Sequence, residues 1–217
     1  MSVKSKKIVN MTDPQSPGIP RIAPVMVLPN TLLFPGAHMP LFIFEQRYRE
    51  MLGWALENDR MFCMALIREG RGDWTSPDDF HHIGGLGLVR ASVAHEDGTS
   101  HLVLQGIARV EFTGFSQTEP FVIAEVREIP TAISTADEAV ALNALVAKHC
   151  AVLRERGFDI PEELARQFAA AADAGALSDL VASTIIRDPY RRQRVFEIAD
   201  SAARGRALIA HLRDEIA

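Results

Sequence analysis

VMVLPNTLLFPGAHMPLFIFEQRYREMLGWAL, Val25 to Leu56, holds two different periodicities with a strong turn between them. The Val-rich segment from Ala23 to Leu28 reads as a short strand, and Pro29 ends it. Asn30 to Gly36 follows as a loop, with Pro35-Gly36 as its turn: proline fixes φ and glycine accepts a positive φ. Met39 to Phe44 reads as a second buried strand, and Pro40 places it at a strand start or a sheet edge. The period then changes. Tyr48, Met51, Leu52, Ala55 and Leu56 fall at i, i+3, i+4, i+7 and i+8, one face of a helix spanning about Glu45 to Glu57. Asn58-Asp59 ends it. A strand–strand–helix opening is therefore expected.

The pattern stays β-rich as far as Pro130. Met61 to Ile67 is a compact apolar run of strand length. Arg68 to Phe80 is polar, with two glycines and a proline, and reads as an exposed loop. Trp74 within it has two readings: a ring folded back onto the β-sheet, or an exposed contact for a partner. Ile83–His95 and Ser100–Phe112 flank Asp97-Gly98, which predicts a tight hairpin with both turn residues at positive φ. Gly84, Gly85 and Gly87 suggest bends or bulges at the corners of a small closed barrel. Phe121 to Ile129 alternates as a further strand.

After Pro130 the pattern is helical. Thr135 and Glu138 form a capping box. Leu142, Leu145, Val146, His149 and Leu153 line one face of the helix that follows, and Gly157 is its C-cap. Pro161, with Glu162 and Glu163, opens another helix. ALSDLVASTII reads as an apolar-rich helix, Asp188-Pro189 caps the next, and Asp200 or Ser201 starts the last. The expected class is α+β, in three parts: a flexible tail over 1–20, a β lobe over 21–130 and a helical lobe over 131–217.

The chain has 217 residues, 47% hydrophobic and 24% charged, with a formal net charge of -5. Such an acidic balance weighs against a dedicated nucleic-acid binder. Cys63 and Cys150 are too few for a disulfide scaffold and read as buried free thiols, in keeping with a cytoplasmic setting. No apolar window reaches membrane-span length, and the early lysines are not followed by the apolar core of a secretory signal. There is no phosphate-binding G-x-x-x-x-G-K-[ST], no dinucleotide fingerprint, no G-x-S-x-G elbow, no H-E-x-x-H and no C-x-x-C. The expectation is no cofactor, no metal and no catalytic constellation. His81-His82 would point to opposite faces of a strand and make a poor chelate. Arg187, Arg191, Arg192 and Arg194, extended by Arg204 and Arg206, form the one dense basic run. They suit phosphates or an acidic protein face, or else a solvated helix surface.

These residues resemble a known family. Leu28-Pro29, Phe34-Pro35-Gly36, Pro40-Leu41 and Phe44-Glu45-Gln46-Arg47-Tyr48 are similar in order and spacing to the opening of the Lon protease N-terminal, substrate-binding domain. LVLQGIARVEF, through Gly106 and Arg109, resembles that family's strand-Gly-x-x-Arg segment, and LSDLVAS (Leu177 to Ser183) one of its helices. The resemblance runs from about residue 22 to 214. It implies a PUA-like β pseudo-barrel with one early helix, followed by a helical bundle. It also implies recognition of unfolded or tagged substrates; in cereblon the same module serves ubiquitin-ligase recognition. Neither an ATPase segment nor a Ser-Lys protease domain lies within this sequence, so a free-standing, non-enzymatic binding module is expected. Its partner would be unfolded polypeptide or a folded protein, a protease among them. RNA is the rival ligand, because PUA-like barrels often bind it; DNA and membrane are not expected. The motif residues read as structural: Pro35-Gly36 builds a turn, Phe44 fills core, and Glu45 and Arg47 pair to fix the helix. Trp74, Arg187, Arg191, Arg192 and Arg194 are the candidate partner contacts.

Overall fold

The computed structural model describes residues 18–132, 135–158, 160, 162, 166 and 173–216. Most of the expected tail, and Pro161 and Glu163 of the expected helix start, lie outside the described residues. The chain divides into two compact units between Ile129 and Pro130.

The first unit contains β1 (Ile22–Leu28), β2 (His38–Ile43), α1 (Gln46–Glu57), β3 (Met61–Leu66), β4 (Ile83–Ala94), β5 (Ser100–Gln117) and β6 (Val122–Glu128). The sheet order is β2-β5-β4-β3-β1-β6, and a further β5–β6 pairing closes five of these strands into a ring. β1 and β3 pair in parallel, with Val25 opposite Cys63 and Leu28 opposite Leu66. The crossover that a parallel pair requires carries β2 and α1. All other pairs are antiparallel, so the sheet is mixed. β5 is long enough to serve three neighbours: Ser100 to Gln105 pair with β2, and Val110 to Gln117 pair with β6. Its partner β4 runs alongside from Ser100 to Glu111.

Strand alternation sorts the core into two sets. Ala23, Val25 and Val27 join Cys63, Ala65, Leu86, Val110, Phe112, Val122 and Ala124 on one face. Met26, Phe62, Met64, Leu102 and Leu104 lie on the other, with Tyr48, Met51, Leu52 and Ala55 of α1 against them. The Tyr48 hydroxyl donates to the Val27 carbonyl at 2.6 Å, tying α1 to β1.

The glycines of β4 and β5 do something other than bend the strands. A Cβ on Gly85 would stand 2.0 Å from the Leu33 carbonyl oxygen, and one on Gly106 would stand 2.0 Å from that of Phe34. The Leu33–Phe34 backbone therefore lies directly on these two strands. Gly36, at φ +79°, turns the loop so that its N–H reaches the Gly106 carbonyl at 2.9 Å, while the Gly106 N–H donates to the Ala37 carbonyl at 2.8 Å. One register shift does fall among the glycines, between Leu86 and Gly87.

The β4–β5 turn also differs from expectation. Only Gly98 has positive φ, and the His95–Thr99 backbone bond closes a three-residue loop, Glu96 to Gly98. The Gly98 N–H donates to the His95 carbonyl, as in a turn followed by a left-handed residue. The Asp97 carboxylate accepts from the Thr99 N–H and hydroxyl at 2.9 and 2.7 Å, which removes any need for Asp97 itself to be left-handed.

The loop after β3 is held from within. Pro77–Asp79 forms a short 3-10 turn, and the Asp79 carboxylate accepts from the Thr75 N–H (2.9 Å), the Thr75 hydroxyl (3.0 Å) and the Ser76 N–H (3.0 Å). These bonds favour the ionised form and hold Asp79 down to about 2. A depressed folded-state pKa gives stability that is present above the ordinary carboxylate value and lost as pH falls toward about 2. Asp79→Asn is therefore expected to lower the urea midpoint at pH 7 and to lose that difference near pH 2. An equal deficit at both pH values would contradict this role for the carboxylate.

The second unit contains α2 (Ala136–Glu155), α3 (Ala174–Ile185), α4 (Pro189–Phe196) and α5 (Ser201–Ile216). α5 packs against α2, α3 and α4. Thr135, Asp173, Asp188 and Asp200 each accept a backbone N–H of the following first turn. The buried stripe of α2 is Leu142, Val146, Cys150 and Leu153; Leu145, expected on that face, is 41% exposed. Arg204 of α5 and Asp179 of α3 form an ion pair at 3.0 Å with side chains 1% and 6% exposed.

Candidate functional site

β2 begins the sheet order and pairs only with β5. Its residues alternate, with Met39, Leu41 and Ile43 turned toward the core and His38, Pro40 and Phe42 exposed. Register carries this outer face across three strands. Phe42 stands opposite His101, which stands opposite Val93; Pro40 stands opposite Val103, which stands opposite Ala91. The two rungs form an apolar sheet face and line an open groove of about 410 Å³. Phe44 lies one residue beyond β2 and stacks on Phe42 at 5.8 Å, and Phe42 stacks on His101 at 4.6 Å. Phe44 is 60% exposed, Phe42 49% and Val93 40%.

The expectation that Phe44 fills core is corrected by this arrangement. An unbroken apolar run such as Met39–Phe44 carries no phase of its own. Only the register against β5 decides that Ile43 points in and Phe42 and Phe44 point out. Polar residues border the face: His38 pairs with Gln105 at one end, with the Arg90 guanidinium on the Gln105 side chain, and His95 lies at the other. An apolar centre with a polar border is the anatomy of a recognition surface.

The remaining motif residues hold the scaffold. Pro29 leads into a turn with Asn30 at φ 61°. Phe34 is buried, with the Arg109 guanidinium 6.0 Å from its ring; Arg109 is itself only 2% exposed. Arg47 pairs with Glu45 at 2.9 Å, and its guanidinium lies 4.8 Å from the Tyr48 ring and 5.4 Å from that of Trp74. Burial pushes the Tyr48 hydroxyl up from its ordinary value. Trp74 is folded inward: it is 9% exposed and meets Phe80 edge-on at 6.1 Å.

The arginines do not form one strip. Arg187 and Arg194 are exposed, with Arg187 5.1 Å from the Phe158 ring. Arg191 and Arg192 are half-buried, and desolvation lowers the Arg192 pKa. Arg204, read as extending the run, is interior and engaged with Asp179. Burial pushes the Cys63 thiol up strongly and that of Cys150 to about 11, which keeps both protonated and weakly nucleophilic. The His82 Nε2 sits 3.0 Å from the Pro77 carbonyl. Among the described residues, no three His, Cys, Asp or Glu side chains converge on a metal position, and no helix is long and apolar enough to cross a membrane. What the groove offers is contact with apolar side chains, with the His101 imidazole as its polar element.

Known proteins match this chain along nearly all of it. The family model for the ATP-dependent protease La (LON) substrate-binding domain covers residues 22–214. The Lon protease of Desulfosudis oleivorans is 27% identical over 200 residues, which are 91% of this chain and 24% of that protein. The chain spans about a quarter of the length of the curated relatives it matches. Among solved structures, the N-terminal domain of Mycobacterium avium complex Lon protease superposes with a TM-score of 0.69 at 20% identity, over 89% of this chain and 98% of that one. A Lon N-terminal domain protein from Xanthomonas campestris gives 0.61 at 18% identity, over 87% and 97%. The α+β fold with its mixed sheet is thus that of Lon N-terminal domains, and the chain belongs to the Lon substrate-binding domain family.

Proposed function

We propose that this chain is a non-catalytic recognition module that binds polypeptides on the outer face of β2, β5 and β4, within a PUA-like barrel lobe. The observation that carries the reading is the pair of cross-strand rungs that leave Phe42 and Val93 exposed at one groove, with the exposed Phe44 stacked on Phe42 beside it. Folded chains seldom leave aromatic side chains grouped on a sheet surface without a use for them. Membership of a substrate-binding family supports polypeptide as the occupant, and a link to proteolysis follows as part of the same proposal.

Magnitudes fit a weak, tolerant binder. Covering the exposed part of each phenylalanine removes roughly 100 Å² from water, about 2 kcal/mol apiece. Two such anchors give about 4 kcal/mol before the costs of association, so one copy binds at roughly 1 mM or weaker. Apolar contact also accepts many sequences, as a recogniser of unfolded segments requires.

Salt separates this reading from RNA binding. Titrating a reduced, alkylated and permanently unfolded protein at low and moderate salt is expected to give weak binding that changes little. RNA binding by Arg187, Arg191, Arg192 and Arg194 would weaken steeply, because each neutralised phosphate releases counterions. Salt-sensitive binding of a structured RNA together with no polypeptide binding would overturn the proposal.

A further inference from the structure

We propose that His95 and His101 form a two-imidazole surface site for a divalent transition-metal ion of the nickel or copper type. The two residues lie on the same face of the β4–β5 hairpin: His101 stands opposite Val93, and His95 is two positions further along the chain, just beyond β4 at the turn. Both are exposed. The His95 Nε2 and the His101 Nδ1 are 2.8 Å apart, with ring centroids 5.0 Å apart and planes at 89°.

That separation, a hydrogen-bond distance, brings both nitrogens within reach of one ion. Two metal–nitrogen bonds of about 2.05 Å at right angles put their nitrogens ~2.9 Å apart, whereas tetrahedral bonds of the same length put them ~3.3 Å apart. The two nitrogens are close enough to take adjacent positions on one ion, and imidazole ligands suit Ni(II) and Cu(II). Each ring would turn by roughly 45° to aim its lone pair at the ion instead of at the other ring. His95 is exposed and lies just beyond β4. In the hydrogen-bonded pair one of the two facing nitrogens carries the proton. On coordination that proton passes through solvent to the other nitrogen of its ring, so a neutral pair binds the ion without net loss of a proton.

One acid and one base stand beside the site. The Asp97 carboxylate interacts favourably with His95, but its Oδ1 is committed to Thr99, so it acts as a nearby charge and not as a third ligand. Arg49, whose guanidinium packs at Gly98 and also interacts with Asp97, is the opposing charge. The site differs from His81-His82, where the His82 Nε2 is turned to the Pro77 carbonyl. An ion here would fix the His101 ring that stacks on Phe42, and so would rigidify one end of the apolar groove. The site stands on its own geometry and does not depend on what the groove binds.

Nickel alone tests it. Tag-free, chelator-treated protein is titrated with Ni²⁺ by calorimetry and its melting temperature is followed in parallel. One saturable site per chain and a rise in melting temperature are expected, since an ion that binds only the folded hairpin stabilises it. His95→Ala and His101→Ala should each weaken the site about tenfold or more. Both side chains are exposed, so both variants should melt near the parent without nickel. His38→Ala, at the far end of the same face, should leave nickel binding unchanged. Absence of a saturable site in the parent, or undiminished binding in both single variants, would overturn the proposal.

Discussion

Arg204→Ala is expected to cost the second unit about 3–5 kcal/mol. The guanidinium is 1% exposed, with its Nε 3.0 Å from Asp179 Oδ1 and its Nη1 donating to the Ile198 carbonyl at 2.6 Å. One side chain thus joins α5 to α3 and to the segment between α4 and α5. Removing it takes the guanidinium away from a buried carboxylate, a larger penalty than the pair's net contribution. Arg204→Lys should recover only part of the loss, because a point charge cannot reproduce the fork that reaches acid and carbonyl together. The double change Arg204→Met with Asp179→Leu should recover most of it, since no charge is then stranded. Denaturation followed by far-ultraviolet circular dichroism, which reports the helices of this unit, measures all three. A loss under about 1 kcal/mol for Arg204→Ala would mean that water reaches the pair.

Gly106→Ala should be nearly as damaging, at about 3 kcal/mol or more. The added carbon would stand 2.0 Å from the Phe34 oxygen and 2.9 Å from its carbonyl carbon, and both are backbone. A side chain can swing away, but this loop cannot lift without losing the two hydrogen bonds between Gly106 and the segment Gly36–Ala37. Gly53→Ala is the matched control. It lies within α1 with nothing within 4 Å of the added carbon, so it should stabilise by about 0.5–1 kcal/mol through helix propensity. Similar melting temperatures for the two variants would contradict the close approach.

The contrast between these glycines shows what was legible in the sequence. α1 could be placed from Tyr48, Met51, Leu52 and Ala55, because a helix writes its buried face into local spacing. The caps at Thr135 and Asp188 were legible for the same reason, each acting within three residues. Features that depend on distant chain segments were not. Gly85 was read as a bend, and Gly106 only as part of a family segment, because nothing near them in sequence mentions Leu33 or Phe34. Arg204 was read as part of a basic surface because its acid, Asp179, lies on another helix. Trp74 had two readings until Phe80 and the Arg47 guanidinium were seen around it.

The groove suffered most from this limit. Pro40, Phe42 and Phe44 were all noted, yet as edge, strand and core. Which side of β2 faces solvent is set by pairing with β5 sixty residues later, and a shift of one residue would exchange the two faces. The alternation that could have exposed the phase is hidden, because both faces of Met39–Phe44 are apolar. That same feature is what makes the outer face useful: a sheet edge that needed only solubility would carry charges there.

The most direct test of the proposed polypeptide-binding face is the double variant Phe42→Ser with Phe44→Ser, titrated with the same permanently unfolded protein as the parent. Both side chains are largely exposed, so the variant should melt close to the parent temperature. Its affinity should fall by roughly 30-fold or more, the equivalent of about 2 kcal/mol or more of lost apolar contact. A variant that keeps its melting temperature and still binds with parental affinity would contradict the assignment of this face as the binding surface.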